Sequence, residues 1–273
     1  MRTLKLTLAY DGTDFVGWQR QAAGVSVQGL LEEVLSRIEG APVVVHGAGR
    51  TDSGVHAVAQ VASVTLRATL DPPTLRRALN ASLPVALRVL AVEEAVDGFH
   101  ARYSATGKTY HYRILHGPVA SSFAHRYTWH IPFALDWEAM RDAARLVVGT
   151  HDFAAFQSTG SDVQSSVRTI STSRFEIQPI GHESAPALAP VEPLHDATLL
   201  RYVVSADGFL RHMVRAIVGT LVEVGAGRMQ AGAVSRLLAS GRRDLAGPTA
   251  PPRGLCLAGV DYGATGGTVA TQR

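Results

Sequence analysis

The stretch HGAGRTDSGVHAVAQV, residues 46–61, sets one arginine and one aspartate among three glycines, between two apolar runs. The flanking runs, 42–46 and 57–66, are rich in valine and threonine, so the stretch reads as the connection between two β-strands. Thr51-Asp52-Ser53-Gly54 is good turn chemistry by itself, because Asp hydrogen-bonds its own backbone and Gly closes a turn freely. On spacing alone a surface salt bridge in a tight turn is slightly the better reading. The rival reading is chemical. Gly47, Gly49 and Gly54 would let a substrate approach the backbone, Arg50 stands near enough to pair with Asp52 and keep it ionised, and an ionised carboxylate can act as nucleophile or base.

Outward from this stretch the periodicity alternates between strand and helix. Residues 3–10 put Leu4, Leu6, Leu8 and Tyr10 on one face of a strand that stops at Asp11-Gly12. Ser26 is a helix N-cap, Val27, Leu30, Leu31, Val34, Leu35 and Ile38 recur at helical spacing, and Gly40 is a stop. Asp71 followed by Pro72 opens a second helix that ends before Pro84, and 86–96 is a strand. The order is βαββαβ. It recurs in the second half: a strand at 109–116, a helix at 135–149, strands at 167–180 and 198–208, a long helix at 209–225, a shorter one at 231–241 and a last strand at 254–262. Two ferredoxin-like βαββαβ units make an α+β protein with a mixed, mainly antiparallel sheet. The expected domains are 1–104 and 105–262, with a flexible tail over 263–273. The proline-rich segment 181–197 reads as a long loop.

Composition bounds the function. The 273 residues are 46% hydrophobic and 18% charged, which suits a globular protein. The net charge is +3 with a pI of about 9.2, compatible with a polyanionic partner without demanding one. A single cysteine, Cys256, excludes a disulfide framework and a cysteine zinc site, and its apolar surroundings favour a buried strand residue. No run suits a signal peptide or a membrane span, so a cytoplasmic location is expected. G-x-S-x-G, P-loop, G-x-G-x-x-G and H-E-x-x-H are all missing, and nothing near Asp52 supplies a glycosidase's second carboxylate.

Two further segments are dense in chemistry. FHARYSATGKTYHY, 99–112, interleaves His100, Arg102, Lys108 and His111 with Phe99, Tyr103, Tyr110 and Tyr112. Cations among aromatics suit RNA, although core packing is the better reading of Phe99 and Tyr112. In the helix predicted over 209–225, Arg211 and Arg215 share a face four residues apart. Arg242-Arg243 forms a small basic patch.

The blocks YDGTDFVGWQRQ (10–21), SVQGLLEEVL (26–35), GAGRTDSGVHA (47–57), FHARYSATGKTYHYRI (99–114), FLRHMVRAIVGTLVEVG (209–225) and APPRGLCLAGVDY (250–262) together resemble the tRNA pseudouridine synthase A family across nearly the whole chain. The resemblance implies a pseudouridine-synthase fold with an active-site cleft between its two units, and isomerisation of uridine to pseudouridine at positions 38 to 40 of the tRNA anticodon stem-loop. It implies no cofactor, no metal and a homodimer. Position by position it implies that Asp52 is the catalytic nucleophile, attacking either C1′ or C6. It further implies that Arg50 lies by the phosphate and flipped uridine, Tyr110 stacks on the base, Arg215 pairs with the aspartate, and Leu255 rather than Leu257 packs under the base. The alternatives to weigh are a non-catalytic RNA-binding protein on the same scaffold and an aspartate phosphohydrolase. The latter would want a D-x-D pair for Mg²⁺ where this chain has Asp52-Ser53-Gly54.

Overall fold

The computed structural model describes residues 1–120, 122–158, 164–178 and 197–263, in two compact units: Met1–Lys108 with Cys256–Arg273, and Thr109–Leu255. The boundary therefore falls after Lys108, and the closing strand belongs to the first unit instead of the second. Most of the loop expected at 181–197 and nearly all of the tail expected at 263–273 lie outside the described residues.

The first unit holds β1 (Arg2–Tyr10), α1 (Val27–Glu39), β2 (His46–Gly47), β3 (His56–Leu66), α2 (Pro72–Ser82), β4 (Leu87–Glu94) and the closing strand β10 (Leu255–Asp261). Its sheet runs β4-β1-β3-β10. β1 lies antiparallel to both β3 and β4, and β10 pairs parallel to β3 through Cys256↔His56 and Leu257↔Ala57. Alternation does what the pattern promised: Leu4, Leu6, Leu8 and Tyr10 are buried together, each leucine contributing about 1.5–3 kcal/mol. Val27, Leu31, Val34 and Leu35 form the buried stripe of α1. The Ser26 hydroxyl accepts the Gly29 N–H at 3.2 Å, and Gly40, at φ 71°, ends the helix. Asp71 caps α2 by accepting from Thr74 N at 2.7 Å.

One expected strand is mostly absent. Of 42–46 only His46, with Gly47, pairs with β3. Side chains of α1 take the place of a ladder: Val43 N donates to Ser36 Oγ, Val45 N to Glu32 Oε1, and Gln28 Nε2 to the Val45 carbonyl. The valines still alternate, Val43 and Val45 in and Val44 out, so periodicity alone could not reveal the substitution.

The second unit holds β5 (Gly107–His116), β6 (Trp129–Ile131), α3 (Trp137–Arg145), β7 (Gly149–Asp152), β8 (Val167–Gln178), β9 (Thr198–Ala206), α4 (Met213–Gly225) and α5 (Ala233–Ser240). Its sheet runs β5-β9-β8-β7, with β6 parallel to β5. Tyr110, Tyr112 and Ile114 are buried on one face of β5, as alternation required. α4 begins at Met213, four residues later than predicted, because His212 sits at a positive φ of 61° and cannot belong to the helix. Arg211 therefore precedes the helix and shares no helical face with Arg215. α3 likewise stops at Arg145 and leaves Val148 exposed. Cys256, expected to be buried, is half-buried in β10. No helix among the described residues is long and apolar enough to cross a membrane.

Candidate active site

In the first unit the connection between β2 and β3 is fastened on both sides of Asp52. On the upstream side the fully buried Gln60 side chain donates from Nε2 to the Gly49 carbonyl at 2.9 Å and stands 3.4 Å from the Tyr10 hydroxyl. That hydroxyl meets Thr51 Oγ1 at 2.8 Å. The Thr51 carbonyl accepts from Trp18 N at 3.0 Å. On the downstream side Ser53 Oγ and Gly54 N both donate to the Phe15 carbonyl, and Val55 N closes the turn onto the Asp52 carbonyl at 3.1 Å. Burial pushes the Tyr10 phenol well above its usual range, against the hydrogen bonds to Thr51 and Gln60 that pull it down. Tyr10 is thus a permanent neutral hydroxyl behind the loop.

The segment 10–18 forms the cradle for these contacts, and two of its glycines are dictated by the approach. A Cβ on Gly12 would lie 2.0 Å from the Val55 carbonyl oxygen, and one on Gly17, at φ +110°, would lie 2.7 Å from that of Thr51. His56, the first residue of β3, accepts the Gly12 N–H at Nδ1 (3.0 Å) with Asp11 Oδ1 at 3.2 Å. Sequence reasoning missed Tyr10, Gly12, Gly17 and Gln60 as parts of the site. The one available signal was Gln60 itself, an amide inside an apolar strand, where a buried polar group must find partners.

Asp52 is half-buried while its neighbours Thr51 and Val55 are buried. Arg50, two residues before it, is exposed. Backbone, amide and hydroxyl contacts order the loop on both sides of Asp52.

In the second unit, Tyr110 is buried on β5, its ring edge-on to Phe209 with centroids 5.1 Å apart. Arg215, in the first turn of α4, donates from Nε to the Ala250 carbonyl at 2.7 Å, while Ala250 N donates back to the Arg215 carbonyl at 3.1 Å. Gly247 N donates to Thr220 Oγ1, and the Tyr112 hydroxyl donates to the Pro251 carbonyl at 2.8 Å. Gly254 presses on Tyr112, whose ring would be 2.6 Å from a Cβ there. A short strap over 247–254 is thereby held between α4 and β5, and it delivers the buried Leu255 at the start of β10. Arg215 and Leu255 are joined through this strap. Arg243 is likewise structural: it donates to the Gly247 carbonyl and Thr249 Oγ1, and Arg242 pairs with Asp244. The basic patch read from Arg242-Arg243 is thus spent on internal contacts.

Comparison with known proteins adds a second line. The sequence profile of a family described as tRNA pseudouridine synthase matches residues 7–104 and 143–263. A tRNA pseudouridine synthase A of Syntrophotalea carbinolica is 43% identical over 263 residues, covering 96% of this chain and 97% of that one. One from Solidesulfovibrio magneticus is 46% identical over 276 residues, covering 97% and 93%. A tRNA pseudouridine synthase A 2 of Clostridium perfringens is 39% identical, covering 96% and 100%.

Proposed function

The chain belongs to the tRNA pseudouridine synthase family, and from that premise we propose that it isomerises uridine to pseudouridine at positions 38 to 40 of the tRNA anticodon stem-loop, with Asp52 as the covalent nucleophile. The reaction breaks the N1–C1′ bond, turns the uracil and joins C5 to C1′; C5 gives up its proton and N1 ends protonated. Atoms and electrons balance within the substrate.

The protein's tasks follow from that balance. A stem base must leave its stack, at a cost of a few kcal/mol. Tyr110 offsets this by stacking on the extruded uracil, Arg50 holds a neighbouring phosphate, and Arg215 adds positive charge at the substrate site. The exposure of Arg50 suits contact with RNA better than support of the loop. Asp52 then attacks, and its carboxylate must meet one atom in one direction. Leu255 lies against the base and keeps water from the intermediate. The same resemblance implies a homodimer, which light scattering measures directly.

The observation that carries the proposal is the loop around Asp52, whose flanking residues are fixed by the Tyr10, Gln60, Phe15 and Trp18 contacts. Tritium release from tRNA labelled at uridine C5 tests it. Wild-type protein should release tritium, and Asp52→Ala should bind the tRNA and release none. Release by the variant at the wild-type rate would remove Asp52 from the mechanism, and binding without release by wild type would leave a non-catalytic RNA-binding protein.

A further inference from the structure

Within the first unit a second feature has the chemistry of an RNA contact, and the loop around Asp52 does not use it. The rings of His46, His100 and Tyr103 lie in a ladder. His46 and His100 are 4.7 Å apart between centroids at an interplanar angle of 34°, and His100 and Tyr103 are 4.4 Å apart at 33°. The ladder ends in solvent, for Tyr103 is 78% exposed, and the Arg102 guanidinium carbon lies 5.7 Å from its ring centroid. At the other end His46 and His100 border a cavity of about 360 Å³ whose polar lining includes Ser63 and Thr65.

The ladder is built, not accidental. Phe99 and Ala101 anchor the segment in a small core with Ala48, Val61 and Ala95. Ala101 N donates to Ser63 Oγ, and His100 and Ser104 close a turn through Ser104 N→His100 O and His100 N→Ser104 Oγ. His100 Nδ1 accepts from the amides of Arg102 and Tyr103, so its proton sits on Nε2. Burial, then the neighbouring His46, holds the His100 imidazole below its ordinary pKa, so the middle rung stays neutral and flat near neutral pH. An aromatic ring this exposed contributes little to the core, and its fixed orientation is what a stacking surface requires.

We propose that the Tyr103–His100–His46 ladder is a second RNA-contact site, on which an unpaired nucleobase of the tRNA stacks while Arg102 contacts its phosphate. The site takes an unstacked, single-stranded nucleotide, because a base inside a duplex has both faces covered by its stacked neighbours. It rests on the proposal that the partner is tRNA.

The test is tRNA affinity. Tyr103→Ala should raise Kd for tRNA about tenfold, the size of one base–aromatic contact, with an unchanged melting temperature. Tyr103→Phe should bind like wild type, and His100→Asn, which can still accept from the two amides, should weaken binding. None of the three should alter affinity for an RNA duplex closed at both ends by hairpin loops outside the contacted stem, where every stem base has both faces covered. An unaltered Kd in Tyr103→Ala, a loss in Tyr103→Phe equal to that in Tyr103→Ala, wild-type affinity in His100→Asn or an equal loss on the duplex overturns the proposal. Failure of the tRNA assignment is separate, for then wild-type protein itself would form no pseudouridine.

Discussion

The Tyr10 hydroxyl lies 2.8 Å from the hydroxyl of Thr51, the residue immediately before Asp52. A strand end and a loop separated by forty residues of chain meet in one buried hydrogen bond, shared with Gln60. Tyr10→Phe keeps the ring and deletes the oxygen, leaving Thr51 and Gln60 short of a partner at a cost of about 1–3 kcal/mol. Because the loop would lose definition and not its RNA contacts, kcat should fall while KM for tRNA holds. A variant that loses stability with kcat intact would make Tyr10 a core residue only.

Gly12→Ala should impair catalysis more than folding. The added methyl would fall 2.0 Å from the Val55 carbonyl oxygen, so the loop must shift, at roughly 1–3 kcal/mol. Gly40→Ala is the control: its φ is also positive, but the space around it is open, so about 1 kcal/mol of strain should appear with unchanged turnover. Thermal melts beside single-turnover rates separate the two.

Tyr110→Leu should lower kcat/KM about tenfold or more, because leucine fills the apolar site against Phe209 yet presents no flat face to a base. Tyr110→Phe should retain most activity. Equal losses in both variants would assign the effect to the hydroxyl.

Glu176 gives a pH prediction. Its carboxyl is held below the usual range, first by the Arg201 hydrogen bond and then by that from Arg174. A depressed folded-state pKa means stability that is present above the unfolded value, about 4.3, and lost as pH falls through the folded one. Melting temperatures of wild type and Glu176→Gln should therefore differ at neutral pH and converge in acid. A constant gap across that range would point to packing instead of charge.

Local signals carried most of the fold. Ser26 and Gly40 bounded α1, and Asp71-Pro72 opened α2, because caps are chemistry of a few neighbouring residues. β6 and β7 escaped because three or four residues carry no period. The early start predicted for α4 failed because nothing in Phe209-Leu210-Arg211 announces the backbone reversal at His212. Within the candidate site, Asp52 stood out through its motif, whereas its support did not: Tyr10, Gln60 and Gly12 reach the loop across the sheet, and sequence spacing says nothing of such contacts.

The parallel pairing of β10 with the start of β3 has a consequence for biosynthesis. Residues 56 and 57 wait for 256 and 257, so their neighbour in the sheet leaves the ribosome only after the whole second unit has been made. Until then the backbone edge immediately after the aspartate loop is bare, open to chaperones or to another chain. A nascent polypeptide interrupted before codon 255 would carry every residue of the GRTDSGVHA motif without the strand that borders it, so competence should arrive abruptly, once β10 has been translated.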